Sequence, residues 1–170
     1  VDAGASDNNF DGAANKTVSV TTSDNDTAGI TITESDGGTE VGETGTTDTF
    51  LVKLTGQPSS NVVLTVASAD TGEVTVSPAT LTFTSGNWDT AQIVTVTGQN
   101  DNIIDGPITT LVTISVDDEN SDDNFDAVAD KTVSVTTTDD DVAGFTIVES
   151  DGSTSVGEAG TTDTFTVVLN

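Results

Sequence analysis

The residues of this chain that can do chemistry are almost all oxygen donors. Its 170 residues include 29 Asp and Glu against 3 Lys and Arg, a formal charge of −26, with no His and no Cys. That excludes zinc fingers, Cys or His nucleophiles, imidazole bases, haem-His ligation, iron–sulfur clusters and disulfides. The acids fall in short groups: Glu34, Asp36, Glu40 and Glu43; Asp70; Asp101 and Asp105 with Asn102; and Asp139, Asp140 and Asp141. No Lys or Arg lies in these segments. Carboxylates gathered without cations repel one another and raise their own pKa values, and a hard divalent cation removes that cost. Calcium accepts 6 to 8 oxygens from carboxylates, Asn side chains and carbonyls in flexible loops, whereas magnesium demands tight octahedral geometry. Soft metals are disfavoured by the same donor set.

What positions these acids is a long internal repeat. Residues 1–55 and 116–170 align without a gap at an offset of 115, with 37 identical positions of 55. The run KTVSVTT at 16–22 returns at 131–137, and GTTDTF at 45–50 returns at 160–165. A period of 115 residues exceeds the 20 to 50 residues of a solenoid and indicates a tandem array of domains, each with its own core. The expected division is a C-terminal piece of one repeat at 1–27, a complete repeat at 28–142 and the opening piece of the next at 143–170. The chain therefore reads as a section of a longer array.

Within the complete repeat, β-branched runs separated by turn residues predict seven strands at 29–34, 48–55, 61–68, 79–84, 91–97, 109–116 and 131–138. Phe50, Val52 and Leu54 share one face, as do Val62, Leu64 and Val66. No segment has helical periodicity. The prediction is an all-β, Ig-like antiparallel sandwich.

Strand direction then gathers the acids. If the first strand runs up and each successive strand reverses, the upper end collects residues 36–43, Asp70, 101–105 and 139–141, with Glu34 at the top of its strand. The lower end has its own acidic loop at 117–130, close to the incoming linker with Asp24 and Asp26, where a second cation is expected. Phe125 and Phe10 are expected to pin that loop and its counterpart to the core. Trp88 reads as half-buried packing.

These residues resemble the calcium-binding β-domains of the Calx-beta type, in the form found as long tandem arrays in bacterial surface and secreted proteins. The resemblance rests on Ile32, Thr33 and Glu34; residues 41–45; residues 81–86 followed by Trp88; residues 94–98 leading into 100–106; and residues 133–141 with their closing acidic triplet. It covers essentially all of 28–142. It implies calcium ligands at Glu34, Asp70, Asp101, Asp105, Asp139, Asp140 and Asp141. Asn102 stands where a second adjacent acid is often found, and Asn25 stands in the preceding linker at the place of Asp140.

The function expected is structural: a calcium-stabilised bead in a stiff extracellular spacer or fibre of an adhesin or filament. Its partners would be neighbouring repeats, with filament contacts between copies. The charge argues against nucleic acid and anionic membrane surfaces as partners, and no apolar run is long enough to insert in a bilayer. The alternative is a glycan- or protein-binding sandwich, but with one Trp and six Phe the aromatic platform is thin. Ice binding would need a short-period Thr array. Paired carboxylates can hydrolyse glycosides, but repeating a catalytic centre along an array without a cleft does not suit an enzyme.

Overall fold

The structure, a computed structural model, describes Asp2 and residues 4–169. Val1, Ala3 and Asn170, at the margins of the two expected flanking pieces, lie outside the described residues. Two sheets face each other between residues 30 and 138. One is four-stranded, with β1 (Ile30–Glu34), β3 (Thr47–Leu54), β7 (Gln92–Gly98) and β5 (Val74–Ser77) in that order. The other is five-stranded, in the order β2 (Thr39–Gly42), β9 (Lys131–Thr138), β8 (Ile108–Val116), β4 (Val62–Ser68) and β6 (Thr80–Phe83). The fold is an all-β sandwich.

Period-2 alternation builds the core. Phe50, Val52 and Leu54 of β3 are buried, while Leu51 and Lys53 between them face solvent. Val62, Leu64 and Val66, Leu81 and Phe83, Val94 and Val96, Val112 and Ile114, and Val133 and Val135 complete the interior. Each such side chain contributes roughly 1.5–3 kcal/mol on burial. A one-residue slip of register would turn any of these sets to water. Phe125 is buried in the core, and Trp88 packs partly buried against it.

Seven strands fall at the expected places within one or two residues. The structure adds two that are too short to show period-2 patterning clearly, β2 and β5. The first segment does not end at Glu34. After Asp36 (φ 44°) and Gly37 (φ 86°) the chain crosses to the other sheet and continues as β2. Asp48 secures this crossing: its carboxylate accepts from Ser35 Oγ at 2.6 Å and from the Glu40 N–H at 3.0 Å. β2 then pairs with β9 in parallel, the exception in an otherwise antiparallel sandwich. β5 similarly precedes Pro78 and pairs with β7, while β6 beyond Pro78 pairs with β4.

The flanks differ from the centre. Residues 13–29 form no strand. β10 (Phe145–Glu149) and β11 (Phe165–Leu169) form a separate hairpin whose register, Phe145↔Leu169 to Glu149↔Phe165, repeats that of β1 and β3. Phe10 is 61% exposed and does not pin its loop. The strands that bury its counterpart Phe125 have no equivalents in residues 1–27.

Candidate metal centre

The upper end of the sandwich holds three buried carboxylate oxygens without a hydrogen-bond partner: Glu43 Oε2, Glu73 Oε2 and Asp141 Oδ2. Glu43 is 3% exposed and Glu73 8%. An unsatisfied buried carboxylate is costly, and native structures rarely retain one without a compensating group.

Parallel pairing brings the first of these into place. Because β2 and β9 run the same way, with Gly42 opposite Thr138, their C-terminal ends coincide. The Glu43 N–H donates to Thr138 O at 3.1 Å, so Glu43 emerges beside Asp139, Asp140 and Asp141. A glycine makes the approach possible from the other sheet: a Cβ on Gly98 would lie 2.2 Å from Gly42 O. Gly98 ends β7 opposite Val74, and the next residue, Gln99, donates its N–H to Glu73 O at 2.8 Å. Glu73 is thereby carried to the same end as Glu43.

Carboxylate oxygens of Glu43, Asp139 and Asp141 all lie within 4.8 Å of one another. Two ligands on one calcium, each at 2.3–2.6 Å, can be at most about 5 Å apart, so this group spans one ion's coordination sphere. Asp139 is oriented for the role. Its carboxylate accepts from the Gly106 N–H at 2.8 Å and the Asp141 N–H at 2.7 Å. Those bonds hold its pKa below the usual carboxylate range.

The electrostatics divide the other acids among these groups. Burial raises the Glu43 pKa, and repulsion from Asp139, Asp101 and Asp105 adds to it, with the Asp140 N–H as a partial offset. Burial likewise raises Glu73, reinforced by Asp105, Asp101 and Asp70. Asp141 is raised by burial and by Asp139, Asp140, Asp101 and Asp105. Asp101 and Asp105 therefore act on all three orphaned carboxylates, from a loop between β7 and β8 in which the Ile103 N–H donates to Asp101 Oδ1 at 2.7 Å. The donor set is made entirely of hard oxygens and suits calcium.

Of the sequence-predicted ligands, Asp70, Asp101, Asp105, Asp139, Asp140 and Asp141 converge on this end. Asn102 is exposed in the same loop. Glu34 is held apart: its Oε2 accepts from Thr39 Oγ1 at 2.8 Å, and Thr39 sits opposite Val135. That is four strand positions below Asp139, about 13 Å at about 3.3 Å per residue. The short strand β2, which extends the first segment upward, causes the separation and delivers Glu43 instead. Asp24 and Asp26 are exposed in the incoming linker, where the Asp26 N–H donates to Asp24 Oδ1 at 3.0 Å. Among the described residues, the three-carboxylate group that meets ligand spacing is Glu43, Asp139 and Asp141.

Glu73 escaped the sequence reading because the strand it opens is only four residues long. Glu43 was legible as an upper-end acid, but its burial follows from the sheet crossing. Two open clefts, of about 420 Å³ beside Ala28, Ile30 and Lys131 and about 370 Å³ beside Asp36 and Asp48, lie away from the centre.

No family model matches the chain, and no curated protein sequence matches it. Among solved structures, PapD-like domain 7 of human CEP192 superposes with a TM-score of 0.48 at 10% identity, covering 76% of this chain and 97% of that one. The apo form of the Calx CBD1 domain gives 0.42 at 14% identity, covering 66% and 98%. The E. coli chaperone DraB gives 0.46 at 5% identity; the match spans 69% of this chain and 59% of the chaperone. Likeness at these identities says nothing of ligands. No helix among the described residues is long and apolar enough to cross a membrane.

Proposed function

We propose that this protein is a calcium-stabilised structural repeat, a non-catalytic β-sandwich bead whose upper-end carboxylates hold calcium next to the linker into the following unit. In a tandem array such beads form a stiff extracellular spacer or fibre of the kind used by surface adhesins and filaments, where millimolar calcium keeps even weak sites filled. The observation that carries this reading is the set of buried, unpartnered oxygens on Glu43, Glu73 and Asp141. Each of these groups keeps one buried oxygen without a donor, and each is repelled by Asp101 and Asp105, beside the acidic run Asp139 to Asp141. A divalent cation satisfies the orphaned oxygens, cancels the repulsion and ties the outgoing linker to the sandwich. Binding to the folded state alone adds stability by linkage.

The test is a calorimetric calcium titration of the chelator-stripped chain, paired with thermal unfolding in calcium and in chelator. Saturable binding with a higher melting temperature in calcium supports the reading, and D139A and E43Q should each weaken it. Absence of both heat and shift would leave an acidic sandwich whose charge serves only solubility.

A further inference from the structure

We propose that Gly98 is a positioning residue of the calcium site: its bare Cα lets β7 close on the turn that carries Glu43, and that closure holds Glu43 at ligand spacing from Asp139 and Asp141. The inference deepens the calcium reading given above and rests on it.

The turn at 42–46 is clamped between the two sheets. β9 holds it on one side: the Glu43 N–H donates to Thr138 O at 3.1 Å, and Thr138 Oγ1 donates to Val41 O at 3.3 Å. β7 holds it on the other: the Gly98 N–H donates to Thr46 O at 3.1 Å. Thr46 also closes the turn on itself. Its Oγ1 accepts from the Gly42 N–H at 2.6 Å, and its own N–H donates to Gly42 O at 3.3 Å. Glu43 lies between these bonds and is buried.

The turn forms locally, but the depth of its acid does not come with it. At 157–161 the same bonds recur: the Gly157 N–H donates to Thr161 Oγ1 at 2.6 Å, and the Gly160 N–H to Gly157 O at 3.1 Å, as Gly45 donates to Gly42 O at 3.1 Å. Glu158, at the place of Glu43, is nevertheless exposed. The turn presents the acid, and the strands closed against it set where the acid stands.

Of these contacts, the one at Gly98 has no slack. A Cβ there would lie 2.2 Å from Gly42 O, 2.8 Å from Gly42 C and 3.2 Å from Val41 Cγ2. The first two obstacles are backbone, which cannot rotate aside as a side chain would. Any other residue at 98 must therefore drive β7 and the Gly42 carbonyl apart by most of an ångström. Calcium–oxygen distances span only about 2.3–2.6 Å, and a binding group must be held within about 0.5 Å of its working geometry. Gly98 offers the ion no side-chain oxygen, so its influence runs through the placement of Glu43. Gly56 is the contrast, at the lower end: a Cβ there would meet Thr27 O at 3.3 Å, also backbone but with far less to displace.

Calorimetric calcium titration of the chelator-stripped full chain and its G98A, E43Q, E43Q/G98A and G56A variants tests this, with melting in chelator to establish that each variant is folded. G98A should weaken calcium binding by at least about tenfold, and G56A by less than about twofold. Added to E43Q, G98A should cost less than about threefold, because the group it positions has already been altered. Unchanged affinity in G98A, or a loss as large in E43Q as in the wild type, would overturn the proposal; the second result would make Gly98 a residue of the fold alone. Should G98A not fold, T46V takes its place, since it removes the hydroxyl that fastens the Gly42 N–H at an exposed position. T46V should weaken calcium several-fold and T46S should restore it, whereas wild-type affinity in T46V would overturn the proposal. A wild-type chain that takes up no calcium would overturn both this proposal and the function above. A wild type that binds beside a G98A that binds equally well would overturn this one alone.

Discussion

The two ends of the sandwich bury carboxylates in opposite ways. At the lower end Asp122 is 3% exposed and fully served by protein donors. It accepts from the Ser59 N–H and Oγ–H, the Ser60 N–H, and the N–H and Nδ2 of Asn124, at 2.6–3.0 Å. The Ser59 hydroxyl, then the backbone donors, hold its pKa far below the usual carboxylate range. At the upper end Glu43 and Glu73 are buried and Asp141 partly buried, but each has an orphaned oxygen and a raised pKa. The contrast shows that burial alone does not mark a metal site. A carboxylate surrounded by N–H and O–H donors is a structural staple that ties the turn after β3 to the loop after β8. A carboxylate surrounded by other carboxylates is relieved by a proton or by a bound cation.

The largest separation of the two ends should come from calcium itself. At a thousandfold excess over Kd one site adds about 4 kcal/mol by linkage, so transfer from calcium to chelator should lower the melting temperature on the order of 15 °C. Differential scanning calorimetry reads this directly, and an unchanged transition would remove the distinction between the ends. Next in size is D122A, which leaves several backbone donors unpaired and should lower the melting temperature by roughly 10 °C. That loss should be equal in calcium and in chelator; a calcium-dependent loss would mean that the lower end also serves a cation.

E43Q should act with opposite signs in the two conditions. It should reduce calcium affinity by about tenfold or more while raising the melting temperature of the stripped protein by a few degrees, because a buried repulsive charge is removed. Affinity by calorimetry and melting in chelator decide the matter, and a fall in both would make Glu43 a staple like Asp122.

The pH response of the stripped protein should follow the same division. Groups with raised folded-state pKa values favour folding when protonated. That contribution is complete below their ordinary values of 4.5 for Glu43 and Glu73 and 3.8 for Asp141, and is lost as pH rises through the raised values. The melting temperature in chelator should therefore climb as pH falls through the raised values toward 4.5. Asp122, with a lowered pKa, contributes fully above 3.8 and loses its contribution only as pH falls through its folded value, so it adds no slope in that window. A flat or inverted profile in chelator would argue against protonation of the upper group. The smallest effect is expected for E34Q, whose carboxylate is exposed and bonded to Thr39: calcium affinity unchanged and melting altered by less than about 2 °C.

The two copies of the first hairpin show which features are local. Asp163 accepts from Ser150 Oγ, the Ser155 N–H and the Thr164 N–H just as Asp48 accepts from Ser35, Glu40 and Thr49, although the second copy has no sandwich around it. Its register is the same too. Partners within thirteen residues are enough to define that motif. The orphaned carboxylates are not local: Glu43 meets Asp139 across 96 residues of sequence, through a parallel pair that no short window encodes.

By itself the sequence determined the repeat and its offset, the all-β class, the alternating core of Phe50, Leu64, Val94, Ile114 and Val135, and the gathering of loop acids at one end. These follow from composition and period-2 patterning, which act over a few residues. Tertiary structure decided which acids are buried and which are free. It split the first segment into β1 and β2, left Glu34 bonded to Thr39, and raised Glu43 to the upper rim. With β5 it placed Glu73 beside Gln99, and it gave Asp122 its donors from a turn some sixty residues away. The physical reason is that a carboxylate's state is set by the donors, charges and solvent around it. Those neighbours are assembled only when distant strands choose their sheet, direction and register.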